Sequence, residues 1–112
     1  MQYFIGIGVA MGFLVLGSVN GIASDRLVDG RRVYTEVCSR CHDQGVDGAP
    51  VIGRTQDWAG RSNLWEAVLF EHAQSGYLGM PAKGGQQDLT DYDVGVAAEY
   101  MLTISHPELP QD

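Results

Sequence analysis

Cys38-Ser39-Arg40-Cys41-His42 brings two thiols and an imidazole together at the C-x-x-C-H spacing that suits haem attachment. On a helical turn, cysteines three positions apart present both sulfurs to one edge of a flat macrocycle, where two vinyl groups can take thioether links. His42 then points at the iron. The chain has 2 cysteines, too few for a four-thiolate zinc or iron–sulfur site. A disulfide across so short a span is strained. The rival chemistry is a thioredoxin-like dithiol, which needs a strand–helix context in a larger α/β chain, and these 112 residues lack that alternation. The expected cofactor is one haem c, held covalently through Cys38 and Cys41 with His42 as a metal ligand.

The second axial ligand sets the redox behaviour, and the candidates are Met80, Met101, His72 and His106. Met80 stands in Tyr77-Leu78-Gly79-Met80-Pro81, between a flexible glycine and a rigid proline, on a loop able to swing across the face opposite His42. Met101 falls in the apolar stripe of a helix, where core packing is the simpler role. His72 sits near a helix C-terminus, where the dipole explains it, although a bis-histidine iron is the alternative it offers. His106, before Pro107, is expected to be solvated. A methionine–histidine pair raises the reduction potential relative to two histidines, because the soft thioether favours ferrous iron.

Three helical stretches separated by glycine- and proline-marked loops are expected to position these groups, and no strand pattern appears. The first runs from about Asp29 to Cys41, with Val33, Val37 and Cys41 at a spacing of four and Gly30 and Tyr34 on an adjoining line. The middle helix, Asn63 to about Ala73, has Asn63 and Glu66 at capping-box spacing. Its Leu64, Trp65, Val68, Leu69 and Phe70 leave little polar face, so burial against the cofactor is expected. The last begins at Thr90, an N-cap followed by Asp91 and Asp93, and continues to about Ile104. Its Val94, Ala97, Ala98, Tyr100, Met101 and Leu102 are placed to cross the first helix at Gly30 and Tyr34.

Residues 1–23 carry no charged side chain, and Phe4 to Leu16 is almost wholly apolar, as in the core of a secretory signal. Gly21 and Ala23 suit cleavage before Ser24. The absence of Lys or Arg ahead of the apolar run keeps a second reading open, an uncleaved anchor tethering the chain through residues 3–23. Residues 24–112 form one domain with a small core, which a covalent haem would enlarge. The formal net charge of −7 lies wholly after Ala23. It argues against nucleic acid as a partner and favours redox proteins with basic or apolar docking patches. Acidity also simply keeps a periplasmic protein soluble.

From about Asp29 to Met101 the chain resembles a class I cytochrome c, most closely the small bacterial cytochromes of the c-five type. The resemblance is carried by Gly30-x-x-x-Tyr34, the attachment run, Gly48-Ala49-Pro50, the Trp58 region, Gly79-Met80-Pro81-Ala82-Lys83-Gly84-Gly85, Leu89-Thr90-Asp91 and Ala97-Ala98-Glu99-Tyr100-Met101. One departure stands out: members of that group often have an extra cysteine pair later in the domain, and this chain has none. The resemblance implies an all-α, single-domain class I cytochrome c fold with three main helices wrapped around one haem. It further implies that the Pro50 carbonyl accepts a hydrogen bond from His42 Nδ1. Trp58 and Arg61 are implied as partners of the haem propionates, a role Arg54 could equally fill. Lys83, the single lysine, would guide docking or merely solvate a loop.

The expected activity is outer-sphere one-electron transfer between respiratory or dehydrogenase partners, with both axial bonds persisting in the two oxidation states. Such a chain is a carrier, without a small-molecule substrate of its own. It is expected in the bacterial periplasm, free, tethered, or as the cytochrome subunit of an oxidoreductase. The competing expectation is a haem-based sensor in which a labile Met80 leaves to admit nitric oxide or carbon monoxide.

Overall fold

A computed structural model describes residues 6, 8, 10–13, 21–61 and 66–106. Helix α1 spans Gly21–Val33 and passes without a break into a π-helical turn, Tyr34–Cys38, and then into α2, Ser39–His42. Short helix α3 (Thr55–Trp58), α4 (Glu66–Ser75) and α5 (Asp91–Ser105) follow, with single 3-10 turns at Val46–Gly48 and Ala82–Gly85. No strand occurs among the described residues; an isolated bridge pairs Tyr77 with Met80. The fold is the expected all-α class, and the helical run that carries the cysteines begins eight residues earlier than the apolar spacing suggested.

The π-helical turn adds one residue to the helix just before Cys38. Ser39 N–H donates to the Tyr34 carbonyl, five residues back, where an α-helix would reach four. The extra residue leaves Tyr34 and Val37 facing the core while Cys38 stays half-buried.

Helix α5 crosses α1 where the sequence placed the crossing. At Gly30 a β-carbon would stand 2.8 Å from the Val96 carbonyl carbon and 2.9 Å from Tyr100 Cβ, so this approach tolerates only glycine. One turn on, the rings of Tyr34 and Tyr100 meet with centroids 5.6 Å apart. Val33, Val94, Val96 and Ala97 are buried along the seam. Tyr34, Trp58 and Met101 form a core cluster with Cys38, Ile52, Tyr100 and Leu102 packed against it. At the rim, Arg26 pairs with Glu99 at 2.8 Å and lies 5.5 Å over the Tyr92 ring, while Tyr92 O–H donates to Asp29 at 2.7 Å.

Thr90 caps α5 as expected. Its Oγ1 accepts from Asp93 N–H at 3.1 Å, and Asp93 Oδ2 accepts from Thr90 N–H at 3.0 Å, a reciprocal capping box. The far end is clamped by the 53–55 loop: Gly53 N–H donates to Ser105 Oγ and Thr55 Oγ1 to the Ser105 carbonyl. His106, next along the chain, is 4% exposed and not solvated as its position near the tail suggested.

Helix α4 presents Phe70 to Gly95 of α5. None of its described residues is fully buried by the rest of the chain; Val68, Leu69 and Phe70 are half-covered, with α4 packed on α5 and on the Ala82–Gly85 turn. Asn63, Leu64 and Trp65, and with them the expected Asn63 cap, lie outside the described residues. So does most of the apolar segment 1–23; α1 runs across the Ala23–Ser24 junction where cleavage was expected. Among the described residues no helix is long and apolar enough to cross a membrane.

Candidate functional site

Cys38 closes the π-helical turn and Cys41 and His42 lie in α2, so the helical run itself fixes the spacing of the three groups. Neither cysteine is in a disulfide; Cys38 is half-buried and Cys41 exposed. Burial pushes the Cys38 thiol up to about 11. A dithiol redox catalyst needs the opposite, a thiol pushed down toward neutral pH.

His42 is 8% exposed and held on several sides. Its Nδ1 lies 2.8 Å from the Pro50 carbonyl oxygen. A carbonyl only accepts, so Nδ1 carries the proton and Nε2 keeps its lone pair for a metal. The His42 carbonyl accepts from Ile52 N–H at 2.9 Å. The imidazole lies near-parallel to the Trp58 ring, centroids 6.1 Å apart. Burial lowers its pKa; the Pro50 contact opposes this and the nearby positive charge of Arg61 adds to it, so the ring stays neutral and fit to ligate.

Of the two residues expected to reach propionates, Trp58 is differently engaged. Its indole N–H, the side chain's sole donor, goes to the Val51 carbonyl at 2.8 Å, and the residue is 6% exposed. Arg61 is exposed; it spends one guanidinium N–H on the Asp57 carbonyl at 2.6 Å and has others to offer. Arg54 is 3.6 Å from the Asp57 carboxylate.

Met80 is set apart from this group, on the loop after α4. Tyr77 and Met80 exchange backbone hydrogen bonds of 3.0 and 2.9 Å around a two-residue turn, with Leu78 at φ +50° and 90% exposed at its tip. Tyr77 stacks on His72 at 3.8 Å, which ties the turn to α4 and engages the His72 imidazole face. On the other side Gly84 lies close enough to Val37 that a β-carbon would stand 3.3 Å from its Cγ1, so the loop following Met80 rests on the residue next to Cys38. Lys83 donates to the Leu89 carbonyl at 2.8 Å, bracing this loop. Met101 is 7% exposed within the Tyr34–Trp58 cluster, the core role. Two site contacts escaped sequence reasoning: Trp58 with Val51, and Tyr34, whose O–H donates to the Asp43 carboxylate next to His42. Neither leaves a periodicity or motif.

The sequence profile of the family described as Cytochrome C oxidase, cbb3-type, subunit III matches residues 25–101. Cytochrome c-555 of Prosthecochloris aestuarii is 40% identical over 84 residues, covering 68% of this chain and 85% of that protein. Cytochrome c5 of Ectopseudomonas mendocina is 36% identical over 71 residues, covering 62% of this chain and 82% of its own. A solved structure described as an electron transfer complex of nitrite reductase with cytochrome c includes a chain that superposes with a TM-score of 0.65 at 28% identity, over 69% of this chain and 94% of that one.

Proposed function

Because the chain belongs to the cytochrome c family, among the small class I bacterial electron carriers, we propose that it carries single electrons on one haem c joined through Cys38 and Cys41, with His42 and Met80 as iron ligands. The observation that carries this reading is the state of His42: buried, with Nδ1 committed to Pro50 and Nε2 free of that bond, one residue after an unpaired thiol and four after another. When bound, the haem supplies a couple between ferric and ferrous iron.

The chain's own part is positional. Pro50 and Trp58 hold the imidazole in one orientation and Ile52 fixes the His42 main chain, which keeps ligation constant between oxidation states and reorganisation small. Met80 is the second ligand, supported by a turn closed at Tyr77 and a following loop that rests on Val37. Arg61 and Arg54 serve the propionates as charged donors.

The domain works in the bacterial periplasm, consistent with the uncharged residues 1–23, as a free or tethered carrier. Its partners are redox proteins with basic or apolar docking patches, matched to a net charge of −7. The superposed cytochrome's complex with nitrite reductase illustrates the kind of partner.

Substituting Met80→Ala in the haem-loaded protein tests the ligation. The expected result is a large fall in reduction potential together with new carbon monoxide binding. A variant unchanged in both would remove Met80 as ligand, and wild-type protein that already binds carbon monoxide would favour a sensor.

A further inference from the structure

Residues 50–52 meet the His42–Trp58 pair through consecutive backbone groups. The Pro50 carbonyl accepts from His42 Nδ1, the Val51 carbonyl accepts from Trp58 Nε1, and Ile52 N–H donates to the His42 carbonyl. The same segment is gripped from outside, since Val51 N–H donates to Asp57 Oδ2 at 3.1 Å. Trp58 also lays its ring along the imidazole at an interplanar angle of 25°. It therefore meets His42 twice: directly, ring beside ring, and at one remove, by fixing the peptide that follows the Pro50 carbonyl.

We propose that Trp58 is a positioning residue for His42, holding the Pro50 carbonyl at hydrogen-bonding distance from Nδ1 and thereby setting the donor strength of Nε2. This rests on His42 as the iron ligand. A strong Nδ1–H···O bond pushes electron density onto the imidazole and favours the ferric state. Loosening that bond weakens the push and raises the reduction potential. Trp58 commits its N–H to this task.

Trp58→Phe retains a ring beside the imidazole and deletes the donor. In the haem-loaded variant, the expected results are exchange of the His42 Nδ1 proton with solvent at least tenfold faster by NMR, and a raised reduction potential. Met101→Ala loosens the same core cluster, against which Ile52 also packs, but removes none of the hydrogen bonds to residues 50–52, and is expected to lower thermal stability while leaving both readouts unchanged. If Trp58→Phe fails to fold, Asp57→Ala frees the Val51 amide from the other side and is expected to speed the same exchange. Unchanged proton exchange in the folded Trp58→Phe variant, or in Asp57→Ala where it is the variant measured, would overturn the proposal. So would equal changes in Met101→Ala, which would reduce Trp58 to core. Wild-type spectra without a histidine-ligated haem would refute the ligand assignment itself, before any variant is compared.

Discussion

Gly30 lies against the main chain of Val96 so closely that the two helices they belong to could not meet if either the residue or the crossing point were changed. The obstacle to a side chain here is backbone, which cannot rotate away as a flexible side chain can. Gly30→Ala is expected to destabilise the fold by about 1–3 kcal/mol or more through overpacking. Urea titration of the haem-loaded protein measures it. Gly60→Ala, where a β-carbon meets nothing within 4 Å among the described residues, is the control and is expected to be neutral or mildly stabilising.

Tyr34 is buried, and its pKa is raised first by that burial and then by its hydrogen bond to Asp43 and the charge there. A group whose pKa is raised on folding stabilises below its unfolded value and loses that contribution as pH climbs through the folded one. Stability should therefore fall progressively above about pH 10, the ordinary tyrosine value. Thermal melts from neutral to alkaline pH test this, and Tyr34→Phe is expected to be less stable at neutral pH yet flatter across the alkaline range.

At the start of α5 the sign is opposite. Hydrogen bonds from the Thr90 backbone and side chain hold the Asp93 carboxyl below its ordinary value. Its contribution is present above about pH 3.9, the unfolded value, and disappears as pH drops through the folded one. Thr90→Ala is expected to cost about 1 kcal/mol at neutral pH. Asp93→Ala should lose part of the acid-side slope in a melt-versus-pH series.

The Arg26–Glu99 pair joins α1 to α5, but its side chains are 39% and 31% exposed, so water screens it. Arg26→Ala is expected to cost no more than about 1 kcal/mol at low ionic strength, and less in high salt. A loss well beyond that would place more of its contribution in the contact with the Tyr92 ring.

What the sequence revealed and what it hid divide by range. Thr90, Asp91 and Asp93 announce the start of α5 because capping is a local interaction, and the Gly30–Tyr34 crossing shows because a glycine and an aromatic one turn apart on one helix are a pattern. The early start of α1 at Gly21 is invisible locally: Ile22 and Ala23 read as the tail of an apolar leader, and a tie near that start joins Arg26 to a glutamate 73 residues away. The π-helical turn is hidden for another reason. Val33, Val37 and Cys41 repeat every four residues whether or not one hydrogen bond skips a position. At the site, the attachment run and Pro50 were legible as a motif, whereas the indole's choice of Val51 depends on how the 50–52 loop folds back on α3.

A haem held by His42 and Met80 has an optical signature, read in absorption spectra of the purified ferric and ferrous protein. The expected spectra show c-type haem bands, the weak long-wavelength ferric band of an iron–methionine sulfur bond, and no change under carbon monoxide. A ferric spectrum lacking that band, or a ferrous protein that binds carbon monoxide, would contradict it.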